Sequence, residues 1–146
     1  LLTLHVGEGT FLPIETEDIE SHPMHSEVYS ISEKTVEAIR RTKINGGRVV
    51  AIGTTVCRVL ETTEALIGGK REGSTNLFIT PGFEFQVVDA LLTNFHTPSS
   101  TLLALVAAFV QHKNGGDGLK RVKDVYAAAV EERYRFFSYG DTSFWI

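Results

Sequence analysis

The sequence predicts an α/β fold, a mixed sheet with flanking helices, and three observations carry that reading. Arg48-Val49-Val50-Ala51-Ile52 is an unbroken run of the kind that buried parallel strands carry, and Gly53-Thr54-Thr55 leads from it straight into an apolar helical pattern. An alternating segment at 25–31 gives way to Val36 and Ile39 at helical spacing. Leu119, Val122, Val125, Tyr126, Ala129, Val130 and Tyr134 repeat on one helical face.

Residues 1–6 (LLTLHV) mix Leu, Thr and Val and stop at Gly7 and Gly9, which predicts a strand followed by a turn over 7–13. The stretch 14–23 holds Glu15, Glu17, Asp18 and Glu20 between Pro13 and Pro23 and reads as a solvated loop. Polar and apolar residues alternate over 25–31, a half-buried strand. Ser32 is an N-cap for a helix over 32–44, and Asn45-Gly46-Gly47 supplies its stop. After the strand over 48–52, a helix over 56–67 ends at Gly68-Gly69. A polar loop over 70–74, a strand over 75–79 and a turn at Pro81-Gly82 follow. The apolar segment 87–95 suits strand or helix equally. Ser99 and Ser100 are N-caps for a helix over 101–112 that is apolar all round, hence a buried one. A loop over 114–118 precedes an amphipathic surface helix over 120–135, and the aromatic tail 136–146 is expected to pack.

A compact chain of 146 residues buries roughly 68–70% of its unfolded surface and forms about one domain. Hydrophobic residues at 42% and charged residues at 22% place it with globular rather than disordered chains. The net charge of −4 excludes a global cationic field for nucleic acid or anionic lipid, so any RNA contact must be local. No apolar run reaches the ~20 residues that span a bilayer, which excludes a transmembrane helix; the single cysteine, Cys57, forms no internal disulfide and reads as an inert core thiol, and no signal-peptide pattern opens the chain, which points to the cytoplasm. The opening Leu1 and an immediate strand suggest a part of something longer.

Four constellations could carry chemistry. Gly53-Thr54-Thr55 joins the end of a strand to the start of a helix, where unpaired N–H groups favour an anion, and Arg58 stands on the first turn of that helix; a threonine-capped βα turn is the structural alternative. His22, His25 and Glu27 are metal-ligating types, but in an extended segment His25 and Glu27 share a face that His22 does not, so no metal is expected. Asp89, Asn94 and His96 bracket an apolar segment and either line a crevice or satisfy local backbone. The aromatic ending at 134–141 is either a core seal or a base-stacking platform beside an acidic group.

Taken in order, LTLHVGEGTF, HPMHSE, GGRVVAIGTT with Arg58 and Leu60-Glu61, FITPGFEF, VDALLTNFHTPSSTLL and YRFFSYGD resemble the S-adenosylmethionine:tRNA ribosyltransferase-isomerase family of queuosine biosynthesis. The resemblance implies transfer and isomerisation of the ribosyl part of S-adenosylmethionine onto 7-aminomethyl-7-deazaguanine at the tRNA wobble position, giving epoxyqueuosine and releasing adenine and methionine. It implies S-adenosylmethionine as co-substrate without a metal, the tRNA anticodon loop as partner, and neither a membrane nor a protein partner. Residues 1–146 would be the carboxyl-terminal part of an α/β catalytic domain whose upstream segment and inserted β-barrel lie elsewhere. By motif, the acid and base would come from His25, Glu27, Asp89, His96 and Asp141. Gly7, Gly9, Thr10, Gly53, Thr54, Thr55 and Arg58 would bind the cofactor, and Phe83, Phe85, Asn94 and Tyr139 the unstacked base. Glu8 stands where the family usually has alanine, and the tail 142–146 departs from its pattern, which keeps a noncatalytic S-adenosylmethionine- or RNA-binding paralogue as the alternative.

Overall fold

The computed structural model describes residues 2–6, 24, 26–62 and 71–146. Along the chain run β1 (Leu2–His5), β2 (Glu27–Ile31), α1 (Glu33–Ile44), β3 (Val50–Ile52), α2 (Thr54–Glu61), β4 (Glu72–Thr75), β5 (Ala90–Asn94), α3 (Thr101–Asn114), α4 (Gly118–Glu131) and β6 (Thr142–Trp145). The α/β class is as expected, and the described strands divide between two three-stranded sheets. One, β1-β2-β4, is wholly antiparallel; the other, β3-β5-β6, pairs β3 with β5 in parallel and β5 with β6 antiparallel.

Local chemistry sets most boundaries. The Ser32 hydroxyl accepts from the Thr35 N–H at the start of α1, and Ser100 does the same for Leu103 at the start of α3. Nine residues of α3 are buried, as its all-round apolarity requires. Helix α4 starts earlier than expected because the Asp117 carboxylate caps it through the Lys120 N–H. It also ends earlier: Arg133 turns left-handed (φ 62°), yet the Tyr134 N–H still bonds the Ala129 carbonyl and its ring packs on Phe95, which prolongs the apolar pattern beyond the helix. The four-residue strand β4 lies in the segment read as a polar loop, not at 75–79. Pairing with β2 decides it: Gly73 sits opposite Tyr29, where an added Cβ would stand 3.3 Å from the Tyr29 hydroxyl.

The core lies between the sheets and α2, α3 and α4, with Tyr29, Val59, Leu91, Leu105, Phe109 and Val122 almost wholly buried. Two buried carboxylates tie its parts together. Glu61, at the end of α2, accepts the Gln86, Val87 and Val88 N–H groups at 2.7–3.0 Å. Glu27 on β2 meets Arg58 on α2 at 2.8 Å and so joins the two sheets through the helix between them. The outer face of β3-β5-β6 is apolar: Ile52, Leu92 and Phe144 stand in one cross-strand row, with Ile52 69% and Phe144 55% exposed.

Candidate functional site

At the carboxyl ends of the parallel pair β3 and β5 lies a crevice of about 680 Å³, within the usual range of small-molecule sites. One wall is the turn into α2. Gly53 has φ 97°, a conformation that disfavours any side chain, and its N–H donates to the Leu92 carbonyl at 2.8 Å, which stitches the turn to β5. No side chain caps α2, so Thr54 and Thr55 present a helix N-terminus to the crevice.

The floor is β5 and the residues after it, Thr93 to Thr97. The buried Phe95 ring packs against Tyr126, Tyr134 and Phe136 with centroids 5.1–5.8 Å apart. Those tail aromatics therefore seal the core. The opposite rim is Phe137 and Ser138. The Phe137 N–H bonds the Phe95 carbonyl at 3.0 Å, and Phe137 holds φ 65°; Ser99, just before α3, holds φ 55°. Two non-glycine residues in the left-handed region therefore flank one crevice, a strain that concentrates at functional sites.

Asp141 clasps the loop that carries this rim. Its carboxylate accepts the Arg135 N–H at 2.6 Å and the guanidinium at 3.1 and 3.3 Å, and these bonds hold its carboxyl below the usual range. It positions the rim and is not among the lining residues.

His96 is the titratable imidazole, carboxylate, thiol or amine side chain among the described lining residues. Its Nε2 lies 3.0 Å from the Thr93 hydroxyl, and its backbone N–H donates to the Tyr126 hydroxyl at 3.1 Å. Burial pushes its pKa down to about 4, so the ring is neutral at physiological pH. The unfolded chain protonates this histidine near its ordinary 6.5, while the folded chain resists until about 4. The unfolded state then binds more protons across that window, so stability is full above it and falls as pH drops through it, by on the order of 3 kcal/mol. A urea-unfolding series at several pH values, with the His96 proton resonances followed in parallel, measures this; a His96 that titrates near 6.5 contradicts it.

The structure brings Gly53, Thr54, Thr55, Asn94 and His96 together at the crevice. Other expected site residues stand elsewhere. Asp89 precedes β5 at its amino end, accepting from Lys43 Nζ and the Val49 N–H at 2.8 Å each; burial opposes ionisation there, but these donors keep its carboxyl below the usual range. It is a bracket between α1, β3 and β5, not a crevice group. Arg58 and Glu27 form the buried pair between the sheets rather than an anion site, because α2 starts at Thr54 and carries Arg58 into its second turn. Burial draws the Arg58 pKa down, and Glu27 opposes the shift.

Phe83 and Phe85 meet edge to face, and Phe85 packs against Phe109 and His112. That places Phe85 roughly 10 Å along α3 from the crevice, in the core. Tyr139 is 76% exposed and does not line the crevice. Gly7, Gly9, Thr10, His22 and His25 lie outside the described residues. Among the described residues no three His, Cys, Asp or Glu side chains converge as metal ligands.

Sequence reasoning missed Thr93, Ser100, Phe137 and Ser138. Thr93 and Ser100 lie in the same motif as Asn94 and His96, but strand alternation assigns Thr93 to the core face. Phe137 was hidden among core-sealing aromatics.

The family described as Queuosine biosynthesis protein matches residues 1–145. The chain is 53% identical over 143 residues to the S-adenosylmethionine:tRNA ribosyltransferase-isomerase of Polynucleobacter necessarius, covering 98% of this chain and 38% of that protein. It is 53% identical over 142 residues to the enzyme of that name from Cupriavidus metallidurans, covering 96% and 38%. The crystal structure of S-adenosylmethionine tRNA ribosyltransferase from Thermotoga maritima superposes with a TM-score of 0.69 at 48% identity, over 81% of this chain and 40% of that one. The chain thus spans about two fifths of the length of these relatives.

Proposed function

Because the chain belongs to the queuosine biosynthesis protein family, we propose that it supplies part of the catalytic domain of an S-adenosylmethionine-dependent tRNA ribosyltransferase-isomerase. The reaction moves the ribosyl part of S-adenosylmethionine onto the aminomethyl group of 7-aminomethyl-7-deazaguanine at the tRNA wobble position, forms epoxyqueuosine, and releases adenine and methionine in the cytoplasm. The observation that carries this reading is the convergence of an uncapped helix N-terminus, Asn94, a neutral His96 and the exposed Phe137 ring around one crevice.

Each part suits a piece of that substrate pair. The Thr54 and Thr55 N–H groups and the helix dipole favour a carboxylate such as that of the methionyl group, or a phosphate. Asn94 offers both donor and acceptor to a nucleoside, and Phe137 offers an apolar face to a ring. The exposed row Ile52, Leu92 and Phe144 supports membership in a larger α/β domain, since sheets with parallel strands are ordinarily covered on both faces.

The assay is adenine release from S-adenosylmethionine with tRNA bearing 7-aminomethyl-7-deazaguanine. A family-length chain containing this segment releases adenine and methionine together. The 146-residue chain alone gives no detectable release, because misplacing reactants by about 1 Å costs on the order of 100-fold and a net charge of −4 holds tRNA weakly. A folded family-length chain that binds S-adenosylmethionine but releases no adenine would refute the enzymatic reading and leave the noncatalytic module.

A further inference from the structure

The Thr93–His96 hydrogen bond determines which ring nitrogen carries the proton. Thr93 is 4% exposed, and among the described residues its hydroxyl pairs with His96 Nε2. A buried hydroxyl proton without an acceptor is costly, and Nε2 is the acceptor within reach. The hydroxyl therefore donates, and Nε2 holds its lone pair. A neutral imidazole has a single N–H, which must then sit on Nδ1. The surroundings hold the backbone on both sides of this pair. The Thr93 carbonyl accepts from the Ser143 hydroxyl at 3.2 Å, Ser143 accepts from the Trp145 indole at 2.8 Å, and the Tyr126 hydroxyl accepts the His96 backbone N–H. Nδ1 has no partner among the described residues, and the ring lines the crevice.

We propose that Thr93 is a positioning residue that fixes His96 as the Nδ1–H tautomer, so that the ring gives a hydrogen-bond donor to an acceptor atom of a nucleoside in the crevice instead of a lone pair that removes a proton. The ligand's identity rests on the function proposed above, whereas the tautomer does not. The proton abstraction next to the sulfonium then falls to a group other than His96 Nδ1.

Two readouts test this. In the chain labelled with 15N-histidine, two-bond nitrogen–proton correlation spectra are expected to show Nδ1–H for His96 in the wild type and in Thr93→Ser, and a mixture or the Nε2–H form in Thr93→Val. In a family-length chain, Thr93→Val is expected to lower kcat for adenine release about 10- to 100-fold with KM little changed, and Thr93→Ser to restore most of it. An Nε2–H tautomer in the wild type, a folded Thr93→Val chain that keeps Nδ1–H, or a wild-type kcat in Thr93→Val where His96→Gln does lose turnover, overturns the proposal. If His96→Gln leaves turnover intact while the tautomer is as stated, the proposed function of the crevice fails and the Thr93 assignment of the proton stands.

Discussion

Arg58→Met is expected to cost about 3–5 kcal/mol of unfolding free energy, because it strips a carboxylate with 1% side-chain exposure of its cation. For a domain whose whole stability is of the order of 5–15 kcal/mol, that is the difference between a robust fold and a marginal one. Among the described residues Arg58 Nε and Nη2 find no hydrogen-bond partner, so the pair bears a desolvation cost that those residues do not recover. A double replacement, Glu27→Leu with Arg58→Met, is therefore expected to be less destabilised than the sum of the single changes, with a coupling on the order of 2 kcal/mol. Urea midpoints followed by circular dichroism measure all three variants. An unchanged midpoint for Arg58→Met, accompanied by loss of S-adenosylmethionine binding in a family-length chain, would contradict the structural role and return Arg58 to the ligand site.

The same residue shows where a sequence stops being informative. A helix beginning at Val56 has Arg58 on its first turn, beside the Gly53-Thr54-Thr55 anion site. Two residues of helix at the front, added because Gly53 turns the chain immediately after β3, place it at the start of the second turn, where it meets Glu27 between the sheets. Periodicity fixes the face of a helix well and its first residue poorly. Asp89 makes the parallel case for a strand. The apolar segment 87–95 left both its ends polar, and only the direction of β5 distinguishes the amino end, where Asp89 braces Val49 and Lys43, from the carboxyl end, where Asn94 and His96 open onto the crevice.

Elements with local punctuation were legible: the serine N-caps of α1 and α3, the run that became β3, and the Pro81-Gly82 turn, where Gly82 has φ 99°. Strand β4 was not, because a short strand with Gly73 under Tyr29 is dictated by its partner and carries almost no apolar alternation of its own. Phe137 was not singled out because one aromatic among five looks like core until the Asp141–Arg135 clasp is seen to turn it outward.

The central claim is that chemistry occurs at the carboxyl end of β5, around His96. The measurement that tests it most directly is the rate of adenine release from S-adenosylmethionine by a family-length chain with its substrate tRNA, compared among wild type, His96→Gln and Asp89→Asn, with thermal midpoints recorded on the same preparations. His96→Gln keeps a polar group near Thr93 and removes the crevice-facing donor; a loss of about 100-fold or more in kcat is expected, with a small change in midpoint. Asp89→Asn weakens the bracket on Val49 and Lys43 and is expected to lower the midpoint while leaving kcat within a few-fold. Wild-type turnover in His96→Gln, together with loss of turnover in a folded Asp89→Asn chain, would place the reaction at the other end of the strand and contradict the account.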